Sequence, residues 1–337
     1  MSESILGSLT PSAIVRALDQ FVIGQNEAKK IVAVAVYAHY KKLAVAAEGL
    51  EIAKSNVLLI GPTGSGKTLL CETLARILRV PFVTADATTL AQTEYVNEEI
   101  DAILQRLLEM AAGDTGRAAS GIVFIDEVDK LKSRGGEAWR TSGESVQHAL
   151  LKIMEGAPVR LRTGQYMDTR NVLFICGGAF VGLEDILATT HSYGYISTGG
   201  DDNQNILNRL NARVKPTDLS HFGLIPEFAG RLPIVARLQD LDRASLVRIM
   251  VEPRNAIARQ FRSILHNEGV ELVIEAPVLQ QIADLAIEYK AGARSLRGIF
   301  EEMMTPILYV IPDRPEIRKV VISSLFDEPR FFAAKAN

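Results

Sequence analysis

The sequence predicts an α/β chain: a parallel sheet layered with helices, then a smaller, mainly helical domain. Three observations predict it. The apolar run Val57–Ile60 leads into Gly61-Pro62-Thr63-Gly64-Ser65-Gly66-Lys67-Thr68, and a helix-forming stretch follows to Leu78. A second apolar run, 122–125, ends in Asp126 and Glu127, and a third, 172–176, is apolar throughout. Beyond Asp240 the apolar spacing turns helical. Continuous apolar runs alternating with helices describe buried parallel strands, whose ligands gather at the carboxyl edge.

The spacing Gly-x-x-x-x-Gly-Lys-Thr has a physical reading. Glycines let the backbone close around a polyphosphate with consecutive N–H groups pointing inward. Lys67 supplies a mobile cation for the β- and γ-phosphates, and the Thr68 hydroxyl a ligand for Mg²⁺. The helix expected over 69–78 puts the phosphates at a helix N-terminus. Gly61, Pro62, Thr63, Gly64, Ser65, Gly66, Lys67, Thr68 and Leu69 are therefore the expected nucleotide-binding residues. The two acids that end the second run complete a nucleoside-triphosphatase arrangement. Asp126 is expected to hold Mg²⁺ through water, and Glu127 to act as general base on the attacking water.

At 337 residues the chain can bury a full core and is expected to form two domains. Its net charge of −3 argues against a general binder of nucleic-acid backbone. The two cysteines, Cys71 and Cys176, read as buried thiols of a reducing compartment and cannot build a four-thiolate zinc site. No run is long and apolar enough to span a membrane, and the first residues lack a signal-peptide pattern. A cytoplasmic location is expected.

Taken in order, residues 1–10 read as a flexible start. Thr10 caps a helix that has Pro11 at its first position and Ile14, Val15 and Leu18 on one face. Val22 and Ile23 lie in an apolar turn ahead of a helix over about 26–43, either as core or as an apolar wall for a purine. After the phosphate loop and its helix, 81–85 reads as a strand. A polar loop with Glu94, Tyr95, Val96 and Asn97 leads into an amphipathic helix ending near Ala112, with loops at 113–120 and 134–143. Val146, Leu150, Ile153 and Met154 mark one helical face. The stretch 199–215, rich in Gly, Asp and Asn, reads as a loop, and 235–238 as a strand or connector. Helices are expected around Leu246 to Met250, around Ile257 to Ile264, over 277–289 and from about 294 past Met303. The domains are placed at 11–238 and 239–337.

On these motifs the chain resembles the AAA+ ATPases of the Clp/Hsp100 group, and within them the ClpX unfoldases. The resemblance runs over about residues 10–325. It includes Val22-Ile23-Gly24-Gln25, the phosphate loop, residues 125–130, Gln147 to Lys152, Phe174 to Phe180, residues 223–233 and Gly292-Ala293-Arg294. It implies an ATP- and Mg²⁺-dependent protein unfoldase that assembles as a homo-hexamer and threads polypeptide substrates through a central pore. It assigns Arg231 as an arginine finger serving the neighbouring subunit and Arg294 as a sensor arginine of the small domain. Read without the family, each arginine is a surface ion-pair partner. Tyr95 and Val96 match the aromatic–aliphatic pair that grips substrate, whereas Tyr95 alone reads as an ordinary loop aromatic.

Four departures stand against the family pattern. The chain has neither the length nor the cysteines for the family's N-terminal zinc domain. Glu94 and Asn97 replace the glycines that flank the pore pair, and the basic loop between Glu155 and Asn171 is short. The resemblance implies a ClpP-type peptidase partner, docked through a loop bearing Ile-Gly-Phe. Tyr193, Gly194, Tyr195 and Ile196 stand there instead, and tyrosine hydroxyls need partners of their own. The altered loops point to a specialised homologue. Two other readings are a nucleotide-dependent scaffold or switch and a DNA-remodelling AAA+ motor. The intact set Lys67, Asp126, Glu127, Arg231 and Arg294 counts against the first, and the acidic balance against the second.

Overall fold

The computed structural model describes residues 10–46, 54–93, 95–132, 137–191 and 213–333, leaving aside the side chains of 44–46, 137–142 and 190–191. The expected flexible start, Thr10 excepted, and most of the 199–215 loop lie outside them. Trp139 and Arg140 fall on helical backbone whose side chains are not described.

The chain divides into two compact units. The first comprises Asn26–Gly61 and Lys67–Leu238, together with the segment up to Val15. It holds strands β1 (Val57–Ile60), β2 (Phe82–Asp86), β3 (Ile122–Asp126), β4 (Pro158–Arg160), β5 (Tyr166–Asp168), β6 (Leu173–Gly178) and β7 (Ile234–Arg237). Five of them form a sheet in the order β2-β3-β6-β1-β7, with every pairing parallel. β1 and β6 are buried along their whole length, and β3 is buried until Asp126, as their unbroken apolar sequences require. Fully burying each such aliphatic side chain contributes roughly 1.5–3 kcal/mol. Helices Asn26–Ala46, Val96–Met110 and Glu137–Glu155 belong to the same unit. The second helix buries Ile100, Ile103, Leu104, Leu107 and Leu108, the spacing of one helical face.

Several boundaries differ from expectation. The phosphate-loop helix begins at Lys67, two residues early. Inside the expected polar loop, Ala87–Gln92 is helical because the Asp86 carboxylate caps it, accepting from the Thr88 N–H at 2.7 Å. Asp114 does the same for Thr115–Ala119 through the Arg117 N–H at 3.0 Å. The expected 134–143 loop is helical from Glu137. Val235 to Leu238 is largely strand, because Ile234–Arg237 pairs with β1 from Val57↔Ile234 to Ile60↔Arg237.

The second unit comprises Arg16–Gln25, Pro62–Gly66 and Gln239–Asn337. The expected division after residue 238 had placed the first two segments with the sheet. Helices Arg243–Val251, Ile257–Asn267, Ala276–Glu288 and Arg294–Val310 enclose a core with Met250, Leu265, Ile282, Phe300 and Ile307 buried. The unit also carries a three-stranded sheet that the helical reading missed. Its strands are β8 (Glu271–Ile274), β9 (Ile317–Ile322) and β10 (Arg330–Ala333), in the order β10-β9-β8. β8 pairs with β9 in parallel, though 42 residues of sequence separate Ile274 from Ile317, so no local pattern announces the pairing.

One buried group makes the first unit sensitive to acid. His39, in helix Asn26–Ala46, has its Nε2 at 3.0 Å from the Asn171 carbonyl, so Nε2 carries the proton and donates. Burial pushes the imidazole down to about 4, with Lys54 and Lys42 adding to the effect and the Asn171 bond opposing it. The ring is thus neutral in the fold, whereas in the unfolded chain it titrates near 6.5. Between those values the unfolded chain binds the extra proton, so stability falls as pH falls from about 6.5 to about 4, by about 3 kcal/mol. Urea unfolding at pH 7 and pH 4.5 checks this: His39→Gln, which keeps a donor, is expected to shrink the difference. An equal difference in both chains would move the effect to another group.

Candidate nucleotide site

β1 delivers the chain to the phosphate loop. Gly64 and Gly66 take φ of +81° and +97°, conformations that side chains strain to reach. Gly64 is constrained twice, since a Cβ there would lie 2.4 Å from the Ala291 carbonyl oxygen within the second unit. Ser65 N–H donates to the Pro62 carbonyl at 3.2 Å, closing the turn ahead of helix Lys67–Leu78. The first-turn N–H groups of an α-helix have no intrahelical acceptor, which suits an anion at this end. Lys67 is buried, and its Nζ donates to the Gly61 carbonyl at 2.7 Å, folding the ammonium over its own loop.

β3 brings the acids to the same edge. The Thr68 hydroxyl donates to Asp126 Oδ2 at 3.4 Å, although the two residues stand 58 positions apart. Asp126 Oδ1 accepts the Glu127 backbone N–H at 2.9 Å. Room for the aspartate depends on β6, because a Cβ on Gly177 would meet the Phe124 ring at 2.7 Å and Asp126 Oδ1 at 3.2 Å. A hydroxyl and a carboxylate facing one another are hard oxygen donors, which fits Mg²⁺. Glu127 sits at φ 59°, ψ 30° and is exposed, a left-handed conformation that costs on the order of 1 kcal/mol in a non-glycine residue. Partial desolvation holds its carboxyl above the ordinary range, and the Asp86 and Asp126 carboxylates add to this.

Each of the remaining expected residues has a setting within its own unit. Val22 and Ile23 are buried in the segment Arg16–Gln25 of the second unit. Arg231 caps the short helix Pro226–Gly230 ahead of β7, and its guanidinium donates to Glu155 Oε1 at 2.6 Å. Arg294 opens helix Arg294–Val310, is exposed, and has no acid in the first turn beside it. Tyr95 is 64% exposed directly ahead of helix Val96–Met110, so it does not rest on the core, while Val96 is half-buried against it. Residues 193–196 lie outside the described residues.

Comparison with known proteins places the chain. A model of the AAA domain (Cdc48 subfamily) matches residues 52–235, and a model of the C-terminal, D2-small domain of ClpB matches 241–320. The chain is similar to the ATP-dependent Clp protease ATP-binding subunit ClpX 3 of Methylococcus capsulatus. The two are 46% identical over 93% of this chain and 79% of the relative. It is 47% identical to the ATP-dependent Clp protease ATP-binding subunit ClpX of Azotobacter vinelandii, over 92% of this chain and 76% of that protein. With the same-named protein of Borrelia duttonii the identity is 42%, over 94% and 78%. The chain belongs to the ClpX family of AAA ATPases. This ClpX-family chain is thus a nucleotide-binding ATPase, and among the described residues no helix is long and apolar enough to cross a membrane.

Sequence reasoning gave no role to two residues that support the site. Gln25 donates from Nε2 to the carbonyls of Ser65 at 3.3 Å and Gln239 at 2.8 Å, and its Oε1 accepts the Gln239 N–H at 2.8 Å. It thereby ties the phosphate loop to the start of the 239–337 segment inside the second unit. Asp129 is buried behind Asp126 and Glu127, and its Oδ2 accepts the Phe180 N–H at 3.3 Å. A Cβ on Gly178 would fall 2.5 Å from Asp129 Oδ1, so the glycine pair of β6 and the acids that follow β3 are fitted together. The available signal was their membership of the segments that carry the resemblance.

Proposed function

We propose that this chain is an ATP-dependent protein unfoldase that works as a ring of six copies and threads polypeptide through the central pore. The observation that carries the reading is the meeting of Thr68 with Asp126 beside Glu127, at the edge from which the phosphate loop leaves. In this reading the loop from Gly61 to Leu69 holds the ATP phosphates, and Val22 and Ile23 flank the purine. Thr68 and, through water, Asp126 hold Mg²⁺, which supplies charge neutralisation on the phosphate oxygens when bound. Lys67 exchanges the Gly61 carbonyl for the β- and γ-phosphates. Glu127 takes a proton from the attacking water as the bond to the γ-phosphorus forms and the bond to the leaving bridging oxygen breaks.

Two arginines complete the charge balance in this proposal. β1 and β7 are parallel and in register, so Arg231 lies at the amino edge of the sheet, three residues ahead of Ile234. The phosphate loop leaves from the opposite edge. A strand of β1's four residues alone is roughly 13 Å long. This separation supports a role for Arg231 in the site of a neighbouring copy, as in a head-to-tail ring. Arg294 opens a helix whose N-terminal dipole disfavours a cation and favours an anion, as expected of an arginine waiting for phosphate.

The relatives are named as subunits of an ATP-dependent protease, which supports protein substrates, a ClpP-type peptidase partner and a cytoplasmic location for this chain. The exposed aromatic Tyr95 is assigned to gripping substrate. Tyr95→Ala is expected to keep ATP turnover within about threefold, because the residue lies outside the phosphate cluster, and to slow unfolding at least tenfold. The check is ATP-dependent unfolding of a tagged fluorescent protein, with and without a ClpP-type peptidase. Normal unfolding by Tyr95→Ala sinks the gripping assignment, and no unfolding by the unaltered chain with any tag sinks the unfoldase reading.

A further inference from the structure

Asn56 is 1% exposed and stands one residue ahead of β1. Its side-chain amide bonds the backbone of Arg231 and that of Met154, the residue before Glu155. Nδ2 donates to the Arg231 carbonyl at 3.1 Å and to the Met154 carbonyl at 3.4 Å. Met154 precedes Glu155, the last residue of helix Glu137–Glu155. With Nδ2 against two carbonyls the amide has one tenable orientation, since the flipped form would set Oδ1 against both oxygens. Its Oδ1 is buried and has no hydrogen-bond partner. A group chosen only to fill this space would not carry an unsatisfied acceptor into the core, whereas one chosen for its two donors must.

Neighbouring contacts point the same way. Lys54 Nζ donates to the Ile153 carbonyl at 3.4 Å and to the Thr169 carbonyl at 2.7 Å. Lys54 and Asn56 thus cap consecutive carbonyls in the last turn of the helix that ends in Glu155, where intrahelical donors run out. On the other side, Arg231 is followed by Leu232 and Pro233 before β7 begins at Ile234. Proline has no N–H to offer a ladder. The β1–β7 ladder pairs Val57 with Ile234 and goes no further toward Arg231. The Arg231 N–H donates to the Phe228 carbonyl of its own short helix at 3.1 Å, and the Asn56 amide adds the bond that ties the Arg231 carbonyl to the start of β1.

We propose that Asn56 is a positioning residue for Arg231: it fixes the finger's backbone against the end of the helix that supplies Glu155, the partner holding the guanidinium before a neighbouring phosphate takes it. The inference rests on the proposed role of Arg231 in a neighbouring site. The guanidinium and Glu155 are each about half exposed, so this ion pair is open to exchange with a more highly charged phosphate. The Asn56 bonds are buried and do not take part in the exchange. Asn56 is also joined covalently to β1, the strand that carries its own copy's phosphate loop, so a test must separate the two sites.

Mixed rings do so. Chains carrying Arg231→Ala keep their phosphate loop and acids but lack a finger. Chains carrying Glu127→Gln keep the finger with their own site silenced. Mixed with an excess of the second, the first are expected to regain ATP turnover at least tenfold above their level alone. Donor chains carrying both Glu127→Gln and Asn56→Ala are expected to restore no more than about one tenth of that gain, while binding a fluorescent ATP analogue within twofold of Glu127→Gln alone. Damage passed along β1 to the donor's own loop cannot produce this result, because that site is already silent. Equal restoration by both donors overturns the inference. Turnover by Arg231→Ala chains alone at the unaltered rate overturns the finger reading itself, and the inference with it. If Asn56→Ala donors fail to assemble by size exclusion, Asn56→Leu replaces them, having the same branched heavy-atom skeleton without donors, and the same outcomes decide.

Discussion

Glu127→Gln is expected to lower ATP turnover at least about 100-fold while changing ATP affinity less than about threefold. A positioned general base contributes typically 10²–10⁴-fold, and glutamine keeps the size of the side chain while losing the proton acceptor. Binding should persist because the phosphate loop, Lys67 and the Thr68–Asp126 pair are untouched. The strained backbone at Glu127 strengthens the expectation. Its left-handed φ of 59° aims the residue away from the line of β3, where ordinary strand geometry would have carried it, and its carboxyl is held above the ordinary carboxylate range. Phosphate release together with titration of a fluorescent ATP analogue checks both halves. A turnover within tenfold of the unaltered chain would move the base to another group, whereas a large loss of affinity would show that Glu127 helps to hold nucleotide.

The strands of the sheet and the two segments of the phosphate cluster were legible in the sequence because each segment carries its own local signal. β1, β3 and β6 are unbroken apolar runs, and residues that follow a buried strand in a parallel sheet lie at its carboxyl edge whatever the crossovers do. The short helices after Asp86 and Asp114 were read as loop: an acid ahead of a helical stretch is a capping signal, but the polar composition hid it. What the sequence could not show is set by long-range pairing. β8 and β9 meet across more than 40 residues, and Gly177 and Gly178 matter for what Phe124, Asp126 and Asp129 place against them. Asn56 is the clearest case: nothing about an asparagine ahead of an apolar run says that its amide will meet the carbonyl of residue 231.

Arg231→Ala is expected to lower turnover by about 10³-fold or more, the scale on which an arginine finger acts. In the proposed reading, with Arg231 and the phosphate loop at opposite ends of the β1–β7 pair, this loss is expected to be intermolecular. Arg231 precedes the strand that pairs with β1 from Val57↔Ile234 onward, while the phosphate loop follows Ile60, so the two lie at opposite edges of one sheet. Turnover per chain of the unaltered protein should therefore fall on dilution below the concentration at which the ring assembles, while Arg231→Ala shows its low rate at every concentration. Glu155 adds a sign to the test. If the ion pair at 2.6 Å competes with phosphate for the guanidinium, Glu155→Gln releases the arginine and leaves turnover unchanged or raised. A structural role for the pair predicts the opposite, because breaking it would cost turnover as losing Arg231 does. Phosphate release across a dilution series of the three chains separates these outcomes. A rate per unaltered chain that stays constant at dilutions where size exclusion shows single copies would end the intermolecular assignment.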